Sequence, residues 1–184
     1  MKNKKSLIAI IAVATVAIVG GSIAYFRYTQ TFDNEFHLGA QITTFTETFE
    51  SPDNWTPCTE TPKTLVVNNS STAAINARIK ITENWEKLDE NGDVIEGESL
   101  PLVVDGRNMA VINFANASSW TLKSDGYYYY NSDIATGSAS NSFIESVTFN
   151  CDATSEYSSA RYHLHLKVET IDASADARQN AGWI

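Results

Sequence analysis

An all-β fold, a jelly-roll-like antiparallel sandwich closed by a short C-terminal helix and preceded by an N-terminal hydrophobic signal helix, is what the sequence predicts. Three observations point to it. Apolar residues recur every second position over several long stretches, as half-buried strands require. Clusters of Asn, Asp, Ser and Gly separate those stretches and supply turn chemistry at short intervals. One stretch alone, Ala173 to Ala181, carries a convincing helical pattern.

The elements follow in chain order. Lys2, Lys4 and Lys5 form a positive start, Leu7 to Val19 is apolar, and Gly20, Gly21 and Ser22 loosen the segment before Ile23 and Ala24. That is a signal-peptide layout, with small residues at Ser22 and Ala24 matching the small pockets of a signal peptidase, so cleavage is expected between Ala24 and Tyr25. The apolar run is also long enough to cross a bilayer, and a retained anchor is the alternative. Cleavage divides the chain into residues 1–24 and a domain over 25–184 of about 160 residues, a size suited to one core. The domain opens with a strand in which Phe26, Tyr28, Phe32, Phe36 and Leu38 alternate with Arg27, Thr29, Thr31, Asp33, Glu35 and His37. Shorter strands are expected at 42–49, 63–68, 100–104, 109–114, 120–123, 127–130 and 143–149. The clearest alternations are Ile75, Ala77, Ile79 and Ile81, and then Tyr162, Leu164, Leu166 and Val168. Between them, "NNSST", "ENGD", "DGR" and "SDG" are turns, and Asn91-Gly92 is expected to form a type I′ hairpin tip.

Charge narrows the function. The chain has 22 acidic against 13 basic residues and a net charge of −9. Removing three lysines with the leader takes this to about −12, a surface that repels nucleic acid and anionic lipid, so no nucleic-acid partner is expected and membrane contact runs only through an uncleaved leader. Export makes a disulfide between Cys58 and Cys151 chemically accessible, although spacing alone leaves two separate thiols equally open. His163 and His165 share one strand face and are the only metal-ligand candidates worth naming. Two ligands fall short of a zinc site, and a solvated strand face is the simpler account. The "DENGDVIEGE" run has Val94 and Leu100 where a calcium loop needs Gly and a bidentate acid. The tyrosines at 127–130 suggest a sugar platform, but alternation leaves at most two on one face. The sequence contains no HExxH, GxSxG, P-loop or dinucleotide motif, so no catalytic residue and no cofactor is assigned and the chain is read as a non-enzyme.

The order of several segments resembles a known family. "GGSIAYF", "NEFHLG", "VVNNSSTAAINARIKI", "DGYYYY" with "SFIESVTFN", and the closing "VETIDASADARQNAGW" are together similar to the TasA/camelysin-like secreted proteins of Gram-positive bacteria, in particular the BsaA-type biofilm matrix branch. Two departures stand out: Cys58 in "WTPC" occupies the place of a turn glycine, and "NSDIATGSAS" lacks the usual proline and glycine pairing. The resemblance implies a jelly roll, export through a dedicated signal peptidase, and a structural role at the cell surface or in an extracellular biofilm matrix. It further implies fibres in which the freed N-terminal segment of one subunit completes the sheet of the next, with other matrix proteins or cell-wall polysaccharide as further partners. Phe26, Tyr28, Phe32, Phe36 and Leu38 fit such donation independently, because an apolar-faced terminal strand can be donated to a neighbour's edge as easily as paired with its own, which would leave a secreted monomer. The alternatives are a secreted monomeric adhesin or binding module and, from the protease label of the camelysin relatives, a metal-dependent peptidase.

Overall fold

The computed structural model describes residues 43–49 and 57–183. The signal segment with Ser22, Ala24 and Tyr25, and the row Phe26, Tyr28, Phe32, Phe36 and Leu38, lie outside the described residues.

Among the described residues eleven strands form, with every pairing antiparallel: β1 (Thr43–Phe49), β2 (Glu60–Asn69), β3 (Ile75–Leu88), β4 (Val94–Leu100), β5 (Val103–Val104), β6 (Arg107–Asn108), β7 (Ala110–Phe114), β8 (Trp120–Leu122), β9 (Tyr127–Tyr130), β10 (Ile144–Phe149) and β11 (Ala160–Asp172). A 3-10 turn at Ala117–Ser119 and two short helices, α1 (Ser155–Ser158) and α2 (Ala175–Asn180), are the only helical elements among the described residues. The fold is therefore all-β, built from antiparallel sheets.

One sheet runs in the order β1-β2-β10-β7. The other runs β11-β3-β9-β8, and β4 pairs with the far end of β3 on the side it shares with β9. β5 and β6 make a separate small hairpin. Alternation explains which side chains meet. Leu65 and Val67 of β2, Ile75, Ala77, Ile79 and Trp85 of β3, and Tyr162, Leu164, Leu166 and Val168 of β11 all enter one core. In β10 the row changes phase, since Ile144, Val147 and Phe149 are all fully buried. A register shift between Ile144 and Ser146 causes this, as an extra residue in one strand reverses its faces.

The structure extends β2 and β3 beyond the stretches expected from periodicity and adds β4, which was not expected. It also corrects the turn at Asn91-Gly92. A type I′ tip needs positive φ at both residues, but among the described non-glycine residues only Cys58 and Asp105 have it. Instead Gly92 alone is left-handed, at φ +83. Its N–H donates to the Asp89 carbonyl, and the Asp89 N–H donates to the Asp93 carbonyl. This is a three-residue loop with a bulge glycine. The Asp89 carboxylate fixes it by accepting from the N–H groups of Asn91 and Asp93. The β8–β9 hairpin repeats the pattern around Gly126, with Gly126 N–H to Lys123 and Lys123 N–H to Tyr127.

Candidate functional site

The two ends of the four-stranded sheet differ in what they present. Among the described residues β1 is one edge, and it begins at Thr43. β7 is the other edge, three strand spacings away, roughly 14 Å at about 4.8 Å per strand. The Met109 carbonyl accepts from Asn150 N–H, so in the alternating antiparallel ladder Val111 and Asn113 also turn their backbone groups toward β10, while those of Ala110 and Ile112 turn away. Among the described residues no strand pairs with that outer side of β7.

Side chains beside this edge are apolar and incompletely covered. Ile112 and Phe114 pack against the core but are only partly buried. Leu122, on the neighbouring edge strand β8 of the other sheet, is 56 % exposed. Phe114 makes tilted contacts with Tyr128 and Phe143 at 5.2 and 5.3 Å, and Trp120 meets Phe143 and Tyr130 at 5.0 and 4.9 Å. On the other face, Asn113 donates to Ser146 and Thr148, and Ser146 donates to Glu60. Nothing in β7 is a lysine, a proline or an inward charge, the devices that usually blunt an edge.

The sequence-derived candidates are placed as follows. Cys58 and Cys151 are joined in a disulfide that closes a separation of 93 residues. It ties the approach to β2 to the end of β10, where Cys58 N–H donates to the Phe149 carbonyl and Phe149 N–H to that of Thr59. Cys58 has φ +68, the conformation that glycine takes without steric cost. His163 and His165 lie with rings parallel and centroids 5.7 Å apart. His163 Nε2 meets Glu86 Oε2 at 2.7 Å and is nearly buried. No group of three or more His, Cys, Asp or Glu able to hold a metal occurs among the described residues.

A second cluster was not anticipated from the sequence. On the outer face of the five-stranded sheet, Arg78 lies between its cross-strand neighbours Tyr129 and Glu169. Its Nε donates to Glu169 Oε2 at 2.6 Å and its Nη1 to Tyr129 Oη at 2.8 Å. The guanidinium carbon lies over the Tyr127 ring at 4.1 Å and over the Trp183 ring at 4.5 Å from their centroids. Burial pushes the Glu169 carboxyl up, but hydrogen bonds from Lys167 and Arg78 together outweigh it and hold Glu169 below its ordinary value. The 91-residue separation of Arg78 and Glu169 hid the pair. The strict alternation of β3 and β11 was the one available signal.

The chain matches no family model, no curated protein and no solved structure. No helix among the described residues is long and apolar enough to cross a membrane.

Proposed function

We propose that this protein is a secreted structural subunit of a cell-surface or biofilm-matrix fibre, a jelly roll of the TasA/camelysin-like kind. Cleavage after Ala24 by a signal peptidase frees a strand over Tyr25–Leu38, which adds to the sheet of the next copy. The observation that carries this reading is the position of the β7 edge, which no strand among the described residues covers. It lies at the opposite end of the sheet from β1, which begins at Thr43. A strand delivered from the β1 end of one copy to the β7 edge of another makes a head-to-tail contact. Such a contact repeats without closing and so yields a filament rather than a dimer. Backbone pairing with Ala110 and Ile112 supplies affinity, and the apolar row Phe26, Tyr28, Phe32, Phe36 and Leu38 extends the half-covered layer of Ile112, Phe114 and Leu122. Burying each such side chain stabilises the contact by roughly 1.5–3 kcal/mol. The disulfide also supports export, since such bonds persist in oxidising surroundings.

Electron microscopy of protein beginning at Tyr25 tests the proposal. Fibres are expected from the intact domain and none from a version lacking residues 25–38. Ile112→Pro removes an outward N–H without touching the β10 ladder, so it should leave a folded monomer that no longer elongates. Fibres that persist in Ile112→Pro would move the acceptor elsewhere, and a domain that stays monomeric at every concentration would leave the adhesin reading in place.

A further inference from the structure

We infer that the outer face of the five-stranded sheet carries a receptor for a tryptophan ring, and that the Ser174–Trp183 tail filling it in one copy exchanges with the same tail of a second copy. The receptor is the flat guanidinium of Arg78. Glu169, Tyr129 and, at 3.4 Å, Asp125 hold its edge, and the Tyr127 ring packs against it at 4.1 Å. All four partners belong to the sheet or its β8–β9 turn. The plate is therefore formed without the tail and offers one face to an aromatic ring.

The tail is built to deliver that ring. Ser174 caps α2 by accepting from Ala177 N–H at 3.3 Å. At the other end Gly182, at φ +67, lets its own N–H reach the Gln179 carbonyl while Trp183 N–H reaches that of Arg178. This helix-ending motif reverses the chain and lays Trp183 on the sheet. Trp183 is 6 % exposed, whereas α2 contributes no buried residue. Apart from the ring, the tail is held by Arg178 with Asp133 at 3.5 Å and by Lys123 Nζ donating to the Trp183 carbonyl at 3.3 Å. The exposed ion pair adds little and the Lys123 bond reaches a single carbonyl, so the tail opens locally once the ring leaves the plate, while the sheet stays intact. An identical tail from a neighbour restores every contact, which makes exchange between copies nearly neutral and favoured when copies are held close together.

The test uses the full chain and, as probe, a labelled peptide of residues 174–184. Trp183→Ala, which vacates the plate, should bind the peptide saturably, and the intact chain at least tenfold more weakly because its own tail competes. Adding Arg78→Lys to Trp183→Ala keeps the charge but loses the flat plate, and should abolish binding. Gly182→Ala strains the chain reversal while keeping the ring, so it should raise peptide binding by the otherwise intact protein. It gives the same readout should Trp183→Ala fail to fold. Absence of binding to both variants, or binding that Arg78→Lys leaves unchanged, overturns the receptor. For exchange, full-length Trp183→Ala carrying a fluorophore is mixed with full-length Arg78→Lys. Co-sedimentation above that of either protein alone is expected, and sedimentation equal to that of the separate components overturns exchange.

Discussion

Two aromatic clusters lie in the same core and end differently. At one end Trp85 meets Phe149, Tyr157 and Tyr162 at 5.5, 5.1 and 4.9 Å, and all four are buried. The hydroxyls there have partners: Tyr157 donates to the Pro101 carbonyl and Tyr162 to Glu83. Burial first, and then the charge of Glu83 and the bond to it, push the Tyr162 hydroxyl far up, so it stays protonated. At the other end Phe143 is fully buried, but Phe114, Tyr128 and Tyr130 around it are only partly so. Composition does not separate the two clusters. The first is closed by β4, α1 and the disulfide, whereas the second stops at β7 and β8, beyond which no described strand continues. An aromatic layer that stops at an edge is what a docking strand needs.

The largest expected effect contrasts the two clusters directly. Trp85→Ala should cost about 4 kcal/mol, since a buried ring leaves a cavity its neighbours fill only in part. Phe114→Ala should cost about 2 kcal/mol in the monomer because the ring is only partly buried. Urea unfolding of both variants measures this, and equal losses would break the distinction. Where fibres form, Phe114→Ala should weaken assembly more than it weakens the monomer.

Next is the bond that closes the first cluster. Cys58→Ser with Cys151→Ser should lower stability by about 3–4 kcal/mol, since it frees a loop of 93 residues in the unfolded chain. Hydrogen exchange should then rise at Phe149 and Thr59 well before it rises at Tyr128. Uniform loosening would show that the disulfide does not belong to one end.

Smaller effects separate packing from backbone. Gly92→Ala, on the hairpin leading into β4, and Gly126→Ala, on the hairpin ending in β9, should each cost about 1 kcal/mol. Both glycines have positive φ, and an added Cβ would meet nothing closer than 4.0 Å at either. Matching thermal shifts are expected, so the difference between the two ends lies in packing alone.

The smallest effect concerns acid. Glu169 is held below its ordinary 4.5, so its contribution is fully present above the unfolded value and is lost as pH falls through the folded one. Stability should therefore decline with acid from about pH 4.5 downward, less steeply in Glu169→Gln, as unfolding midpoints across that range would record. Burial of the pair opposes the hydrogen bonds from Lys167 and Arg78, and this partial cancellation keeps the effect modest. Parallel pH profiles for the two proteins would remove Glu169 as a source of the decline.

Much of the fold was legible from local pattern. The period of two in Ile75–Ile81 and Tyr162–Val168 marks which side chains face inward, because a strand has only two faces. The β9 tyrosines and the C-terminal helix fell where the pattern put them. β4 was missed because "VIEGESL" has no apolar alternation: its residues are mostly exposed, and it is a strand by virtue of the pairing of Leu100 with Trp85 and Val94 with Leu88. The hairpin at Asn91-Gly92 was visible but its turn was not, since one bulge glycine and a carboxylate cap satisfy the same dipeptide as a two-residue tip.

The candidate sites divide in the same way. By itself the sequence determined strand character, the inward rows, the turn positions and the acidic balance, because these depend on residues a few positions apart. Only the tertiary structure decided that Cys58 reaches Cys151, that Arg78 lies between Glu169, Tyr127 and Trp183, that His163, with His165 stacked on it, pairs with Glu86, and that β1 and β7 stand at opposite edges of the described sheet. Each of these joins residues far apart in the chain, and strand order and register, not local preference, fix which of them become neighbours.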